Sequence, residues 1–391
     1  MKKGISQLFS GTNLVFLLFA LVALFVSTQS FFMQGNVLLS NGKLYTQYNN
    51  YVIFKQSWFH LVQGLDLYKL YPDEHWDLYK YSPTFSVFFG IFAKLPDVVG
   101  LHLWNLVNAL ALFFAIRYIP GIESRKRNAM LLFVLIELTT SMQNSQSNGL
   151  MVGLIVLAFG LLEREKYLLA ALSIVFTIYI KVFGVAAFVL FLFYPKKWKL
   201  ALYSAMWFVI LFILPLAVVN FQQLKFLYAS WMELLKNDSS VSYGFSVMGW
   251  LKTWFNLDIS KTIVLLIGGV LFMLPFLRIK EYKNYHFRLM ALASLLVWII
   301  IFNHKAESPT FVIAMSGVAI WFFSQKRKKL DLVLAILAFV FTTLSVTDIF
   351  PKPIRADYIF PYAIKVVPCI LVWMKIVWEM MFESFTPVRT A

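Results

Sequence analysis

Long apolar runs separated by short polar segments make up nearly the whole chain. A helix that crosses a bilayer needs about 20 mostly apolar residues. Shorter runs predict half-helices or re-entrant segments, at 83–95, 167–181 and 183–194. The longer runs predict ten membrane-spanning helices, at 12–32, 99–119, 129–144, 148–163, 200–221, 261–278, 287–303, 309–324, 330–347 and 359–382. We therefore expect an all-α polytopic transmembrane helical bundle of about 10–13 membrane segments, in a single integral-membrane domain covering 1–391.

The composition agrees with a membrane protein. Hydrophobic residues make up 60% of the chain and charged residues 14%, whereas a soluble protein carries about 25% charged residues. The single cysteine, Cys369, leaves neither a disulfide framework nor a thiolate metal site. His60, His75 and His304 follow no metal-ligand spacing, so we expect no metal and no cofactor.

The net charge of +16 suggests nucleic acid, but the positions of the basic residues favour another interpretation. They lie in short clusters between the apolar runs, at 124–128, 195–199, 278–288 and 325–329. Clusters of this kind mark cytoplasmic loops, and no aromatic–basic groove accompanies them, so we expect no nucleic-acid partner. The same rule predicts a cytoplasmic N-terminus, typical of a bacterial inner (plasma) membrane. The loops 33–82 and 222–260 would then be the two large extracytoplasmic loops.

The first of these loops is rich in carboxylates and aromatic residues. Its residues 50–64 carry apolar groups at helical spacing, and Gly64 is suited to end the helix. This helix either lies at the membrane interface, with Tyr51, Trp58 and Phe59 at headgroup depth, or packs on the bundle. Within 222–260, the stretch 237–244 is typical of a loop, and its hydroxyls beside Tyr243 and Trp250 suit either a connector or a lipid or sugar site.

Polar residues inside the apolar runs are functional candidates, because a buried charge in a bilayer is unfavourable. Glu137 lies in the middle of one run, and Lys181 interrupts another close to Gly184. Glu137 is also compatible with a hydrogen-bonded interhelical carboxyl, and Lys181 with a side chain that reaches the interface. The polar stretches 143–148 and 302–311, the second with His304, Lys305, Glu307 and Ser308, are predicted at the outer surface.

Together these groups predict a site on the outer face. A carboxylate there suits a general base acting on an acceptor hydroxyl, and cations suit a departing phosphate. A proton-coupled transporter is the other possibility, although the two repeated halves typical of transporters are not visible.

Two stretches carry a resemblance to a known family. The first, 64–110, contains Gly-x-x-Leu-Tyr at 64–68, Tyr-x-Tyr-x-Pro at 79–83, Leu-Pro at 95–96 and Leu-Trp-x-Leu-x-Asn at 103–108. The second, 146–199, contains Gln146 and Asn148 opening a span, then Lys181, then a basic turn. In this order they resemble glycosyltransferase family 87, and the likeness extends over about 40–320.

The resemblance implies a C-type glycosyltransferase fold. It also implies a sugar, such as mannose, carried on a polyprenyl phosphate, and a lipid or glycan acceptor on the extracytoplasmic face. Membrane lipids are the other expected partners. Lys181, His304 and Lys305 are the predicted contacts to the donor phosphate. The residues predicted to bind substrate are Gln146, Asn148, Tyr81 and Glu307.

The family also implies a catalytic aspartate about fourteen residues before the first glycine, and in this chain that position is Asn50. A neutral amide cannot deprotonate a hydroxyl, so the nearby carboxylates Asp77, Glu74 and Asp73 are the candidate substitutes, with Glu307 next. The alternatives are a transporter or flippase of a lipid-linked or anionic substrate, and an inactive member of the family that binds polyprenyl phosphate.

Overall fold

The structure is a computed structural model that describes residues 11–38, 42, 44–237 and 243–385. The described chain is about three-quarters helical (76%) with very little strand, which confirms the predicted all-α membrane class. It also contains two short antiparallel strands in the first loop, β1 (Gln34–Leu38) and β2 (Leu44–Thr46), which the hydrophobic pattern does not predict. The predictions for the first ten residues and for 238–242 lie outside the described residues.

The helices follow the apolar runs closely. The first half of the chain contains α1 (Gly11–Phe32), α2 (Asn49–Val62), α3 (Pro83–Ala93), α4 (Asp97–Tyr118), α5 (Ser124–Gln143), α6 (Asn148–Leu162), α7 (Tyr167–Ile180) and a 3₁₀ helix (Val182–Phe193). The second half contains α8 (Lys197–Ile213), α9 (Phe221–Asn237), α10 (Val247–Phe255), α11 (Lys261–Met273), α12 (Tyr285–Ile301), α13 (Phe311–Ser324), α14 (Lys329–Leu337), α15 (Lys352–Ile354) and α16 (Val367–Phe382). Short 3₁₀ or π turns extend several of them, at Leu214–Ala217, Leu274–Leu277, Ile279–Lys283, Ser308–Thr310, Ala338–Leu344, Arg355–Ile359 and Ile364–Val366.

Three helices in the described residues are long and apolar enough to cross a membrane: Gly11–Phe32, Asp97–Tyr118 and Lys197–Ala217. A fourth candidate is a pair, Lys352–Ile359 and Ile364–Phe382, bent by 80° at its break. Seven further apolar helices are shorter. The count of ten to thirteen segments therefore stays a prediction. The predicted half-helix at 83–95 is the 11-residue α3, about 16 Å long and roughly half of a bilayer core.

The centre of the bundle consists of helices that are apolar on every side. Nearly all side chains of α6, α12 and α13 are buried, as expected for a helix surrounded by protein. In contrast, α8 buries Leu200, Ser204 and Leu211 and exposes most of its other apolar side chains. Such a surface is favourable only against lipid, so the peripheral helices define the membrane-facing side.

The helix α2 packs on the bundle, which decides between the two interpretations of 50–64. Tyr51 and Trp58 are buried by protein, so they do not contact lipid headgroups, and their depth in the bilayer stays a prediction. A Cβ atom at Gly90 of α3 would lie 2.6 Å from the Trp58 ring, so the close approach of the two helices requires glycine there. Gly64 follows the end of α2 with φ of +74°, as predicted for a helix terminus.

Candidate functional site

The turn between α5 and α6 presents two amides that the sequence singles out. Ser145 adopts a left-handed conformation with φ of 49°, and the N–H of Gln146 donates to the Ser141 carbonyl at 3.1 Å. This pattern closes the C-terminus of α5. The buried indole of Trp104 donates to the Ser145 carbonyl at 2.9 Å and fixes the turn. Its geometry places Gln146 and Asn148 side by side, and the Asn148 amide donates to Gln146 Oε1 at 2.7 Å.

Lys181 lies at the break between α7 and the 3₁₀ helix that follows. Its backbone is extended (φ −142°, ψ 125°), which ends α7 and turns the side chain toward α6. The ammonium donates to Asn148 Oδ1 at 2.7 Å and lies 3.5 Å from Gln146 Oε1. Both acceptors are neutral amides, and among the described residues no carboxylate lies within ion-pair distance of Lys181 Nζ. The ammonium is therefore positioned by amides without a direct ion pair, and the charge of Glu307 acts on it from a longer distance.

Glu307 joins this cluster from the segment before α13. Gln146 Nε2 donates to Glu307 Oε2 at 3.1 Å, and Asn148 Nδ2 donates to the Pro309 carbonyl at 2.9 Å. The residues lie 161 positions apart in the sequence, so only the packing of α5 and α6 against this segment brings them together. We call the group of Gln146, Asn148, Lys181 and Glu307 the amide–lysine cluster.

Tyr81 lies beside the amide–lysine cluster. The Ser147 hydroxyl donates to the Tyr81 phenol at 3.3 Å, and Lys181 Nζ lies 5.9 Å from the Tyr81 ring centre. Burial raises the pKa of Tyr81, and the charges of Glu307 and Asp77 raise it further. The phenol is therefore protonated at neutral pH and is available as a hydrogen-bond donor.

The predicted carboxylates of the first loop have separate surroundings. Glu74 Oε2 lies 2.9 Å from His60 Nε2, and burial is the main cause that raises the pKa of Glu74 and lowers the pKa of His60. Both shifts favour the neutral forms, so this contact is weaker than a fully charged ion pair. Asp73 is close enough to Glu74 to raise its pKa further. Asp77 lies 3.5 Å from Lys80 Nζ, and its charge reaches Tyr81.

Asn50 has a structural contact at the position where the family resemblance implies an aspartate. Its Nδ2 donates to the Asn144 carbonyl at 2.8 Å, at the C-terminus of α5. A carboxylate could not donate this hydrogen bond and would place an acceptor against an acceptor. The chain therefore uses the amide of Asn50 to hold the turn that carries Gln146.

His304 and Lys305 lie in the turn that leads to Glu307. The Lys305 N–H donates to Asn303 Oδ1 at 3.0 Å, and the Ala306 carbonyl accepts from the Phe245 N–H at 2.9 Å. This second bond joins the turn to the segment before α10. The contact of His304 and Lys305 with a donor phosphate stays a prediction. Among the described residues, no group of three or more His, Cys, Asp or Glu side chains is arranged to hold a metal ion.

Glu307 of the amide–lysine cluster borders one cavity, and a second cavity lies further along α3, α6 and α7. The first is a pocket of 440 Å³ between Tyr243–Thr253, Ala306–Ser308 and Phe360–Ala363, and Glu307 forms part of its wall. We call it the outer pocket. The second is a groove of 790 Å³, almost wholly apolar, between α3, α6, α7 and α8, which we call the lateral groove. Near the groove, the Ser82 hydroxyl donates to the Tyr179 carbonyl, two residues before Lys181.

Sequence patterns do not single out the residues that complete the Glu137 ion pair and the outer pocket. Lys365 forms a buried ion pair with Glu137 from the far end of the chain, and its place at the edge of the last apolar run gives no signal of this. Phe360 and Lys252 of the outer pocket are likewise not among the predicted residues. The polar stretches 237–244 and 302–311 are the sequence features that pointed to this region.

The apolar helical bundle defines an integral-membrane protein. Its amide–lysine cluster joins a cation and a carboxylate through amides, an arrangement that suits group transfer. The model of glycosyltransferase family 87 matches residues 79–302, more than half of the chain, and the chain belongs to this family. It is therefore a membrane glycosyltransferase. A search of curated proteins finds no match.

The residues matched by the family model include only part of the predicted site. They include Tyr81, Gln146, Asn148 and Lys181 but begin after the loop carboxylates and end before Glu307. They cover less than the 40–320 expected from the motifs.

Proposed function

We propose that this chain transfers a sugar, such as mannose, from a polyprenyl-phosphate donor to a lipid or glycan acceptor on the extracytoplasmic face. The observation that carries the proposal is the position of Lys181. Its ammonium is held by two neutral amides at a helix break, beside the N-terminus of α6. A positioned cation next to the positive end of a helix dipole is a favourable site for a phosphate.

The lateral groove supports a donor with a long hydrocarbon chain. Its walls include Phe88, Phe176 and Leu214, which offer only apolar contacts to a ligand. The groove opens on the membrane-facing helix α8, so a polyprenyl chain would enter it from the bilayer without crossing water. On α7 the groove is lined as far as Phe176, which precedes Lys181 by five residues, or about 7.5 Å of helix. A phosphate at Lys181 and a chain in the groove are therefore compatible with one ligand.

The polar groups around Lys181 match the chemistry of phosphate departure. As the bond between the sugar C1 and the phosphate oxygen breaks, negative charge develops on the leaving phosphate. The Lys181 ammonium and the protonated Tyr81 phenol would donate hydrogen bonds to it. Groups that are already oriented toward developing charge give one of the largest contributions to enzymatic rates. His304 and Lys305 are further proposed contacts to the phosphate, and Gln146 and Asn148 orient the lysine.

An acceptor hydroxyl must also lose a proton, and the chain has two carboxylates near the amide–lysine cluster. Glu307 is hydrogen-bonded to Gln146, and Asp77 acts on Tyr81 through its charge. Glu74 and Asp73 are weaker candidates, because Glu74 contacts His60. Asn50 is not proposed as the base, since its amide holds the turn at Asn144.

The test is donor turnover by the protein in nanodiscs, with polyprenyl-phosphate mannose as donor and a crude lipid extract as acceptor. We expect release of polyprenyl phosphate by the wild type and a loss of about 10²–10³-fold in Lys181→Met, as found when one oriented donor is removed. Lys196→Met is the matched control, because Lys196 is exposed and pairs with Glu165. Equal turnover by the two variants would contradict the role of Lys181.

Two other outcomes would favour the alternatives. Donor binding without turnover in every variant would indicate an inactive family member that binds polyprenyl phosphate. Accessibility of Glu137 and Lys181 to thiol reagents from both sides, after substitution with cysteine, would indicate a transporter or flippase. The complete burial of Glu137 in its pair with Lys365 supports the transferase over the transporter.

A further inference from the structure

We propose that the outer pocket is the binding site for a sugar of the acceptor, and that Glu307 is the base that takes the proton of the attacking hydroxyl. This inference rests on the proposed function and extends it. It assigns a place and a chemical class to the acceptor, a hexose-bearing glycan or glycolipid headgroup.

Glu307 connects the outer pocket with the amide–lysine cluster. Its Oε2 accepts from Gln146, which in turn contacts Lys181, and its side chain also lines the pocket. Among the described residues, Glu307 Oε1 makes no hydrogen bond. A hydroxyl in the pocket would therefore meet a carboxylate oxygen on the side opposite the cation that holds the donor.

The walls of the pocket suit a sugar. Tyr243 and Phe360 supply aromatic rings for the apolar C–H faces of a hexose, and Thr253 and Ser308 supply hydroxyls for its polar edges. The Ser308 hydroxyl is buried and has no hydrogen-bond partner among the described residues. A buried polar group without a partner is unusual in a folded protein, and after a rotation of the Ser308 side chain a sugar hydroxyl would provide one.

One rim of the pocket is held in place. Asp258 accepts a hydrogen bond from the Tyr243 hydroxyl at 2.5 Å and pairs with Lys252 Nζ at 3.2 Å. The Gly244 backbone has φ of +52°, and a Cβ there would lie 2.7 Å from the His304 carbonyl. Gly244 and Phe245 therefore pack directly on the turn that carries Glu307, which favours a site that exists before the ligand arrives.

The two cavities have walls of different polarity, so each suits a different substrate: the lateral groove suits the donor and the outer pocket suits the acceptor. The lateral groove is lined by apolar side chains and suits a hydrocarbon chain. The outer pocket has carboxylate, ammonium and hydroxyl groups on its walls, and a hydrocarbon chain would remove them from water without offering hydrogen bonds. A glycan with several hydroxyls satisfies them.

The reaction step conserves atoms and charge. The acceptor oxygen forms a bond to C1 of the donor sugar, and its proton moves to Glu307. The bond from C1 to the phosphate oxygen breaks, and the electron pair leaves with the polyprenyl phosphate. Glu307 then loses its proton to solvent and returns to its starting form.

The first test locates the sugar and does not require turnover. The protein in nanodiscs is photolabelled with diazirine-bearing octyl mannoside, glucoside and galactoside, and labelled peptides are mapped by mass spectrometry. We expect label in 243–253, 306–308 or 360–363 that an excess of the unmodified octyl glycoside removes. Label confined to other segments, or no competed label from all three probes, would overturn the inference.

The second test measures acceptor kinetics with the glycoside that labels best. Phe360→Ala is expected to raise the acceptor KM at least tenfold and to leave the donor KM unchanged. Tyr358→Ala is the matched control, because this exposed aromatic residue lies on the same segment but does not line the pocket. Equal acceptor KM values for the two variants would overturn the assignment.

Glu307→Gln separates binding from proton transfer. We expect kcat to fall about 10²–10⁴-fold, as for the loss of a general base, with the acceptor KM little changed. An unchanged kcat would rule out Glu307 as the base. Absence of polyprenyl-phosphate release by the wild type would overturn the proposed function instead, and labelling in the pocket would still identify a sugar site.

Discussion

Lys365 Nζ lies 2.6 Å from Glu137 Oε1, and both side chains are completely buried. Glu137 belongs to α5, and Lys365 follows the 80° bend before α16. The lysine also donates to the Thr342 carbonyl at 2.8 Å, so the pair joins three separate parts of the chain. The helix α5 leads into Gln146 of the amide–lysine cluster, and residues 360–363 line the outer pocket. This ion pair therefore links the helix that carries the cluster to the segment that lines the pocket.

Loss of either partner of this pair is expected to destabilise the protein strongly. Lys365→Met leaves a carboxylate in an apolar interior, and the loss of one partner of a buried pair destabilises by about 3–5 kcal/mol. We expect a large fall in the unfolding temperature measured in detergent. The double variant Glu137→Gln/Lys365→Met removes both charges and should recover part of the loss.

The exposed pair of Lys196 and Glu165 provides the control for this prediction. Glu165→Gln should leave the unfolding temperature nearly unchanged, because water screens this pair. A double variant at Glu137 and Lys365 that is less stable than Lys365→Met would show that the two charges do not stabilise each other.

Asn50→Asp is expected to weaken the protein and not to activate it. The substitution removes the donor to the Asn144 carbonyl and places a carboxylate oxygen against it. Because Asn144 is exposed to water, a loss of about 0.5–1.5 kcal/mol follows. Asn50→Ala loses the hydrogen bond without the repulsion and should be less destabilised. Unfolding temperatures and donor turnover of the two variants check this order, and a gain of turnover in Asn50→Asp would restore this position as the catalytic one.

Gln146→Glu tests the electrostatic link between the cluster and the proposed base. It places a second carboxylate 3.1 Å from Glu307 Oε2, and a like charge raises the pKa of a carboxyl group. A base with a raised pKa is active only at higher pH, so the acidic limb of the pH–rate profile should move upward. Gln146→Met is the neutral control, which should lower the rate without moving the limb.

His60 predicts a pH dependence of stability. Burial lowers its pKa from the ordinary 6.5, so as pH falls below about 6.5 the unfolded chain takes up a proton that the folded protein resists. The folded state therefore loses stability on the acidic side. His60→Gln removes this loss, and its unfolding temperature should fall less than that of the wild type between pH 7.5 and 5.5.

Titratable groups near His60 contribute to the same pH dependence of stability. Burial also lowers the pKa of His75 and raises the pKa of Glu74, and the raised carboxyl pKa gives the opposite trend, because Glu74 gains a proton as pH falls. Repeating the measurement in a Glu74→Gln background removes this opposing contribution. Parallel curves for the wild type and His60→Gln in that background would contradict the prediction.

The sequence by itself determined the class of the protein and the order of its helices, because apolar runs must form helices wherever a bilayer excludes water. It also singled out Lys181, Gln146, Asn148 and Glu307 as polar groups in or beside apolar runs. Only the tertiary structure decided which of these polar groups meet. Glu137 pairs with a lysine 228 residues away, and Asn50 holds a turn at Asn144. Such contacts depend on how separate helices pack, and the pattern along one helix carries no information about its neighbours.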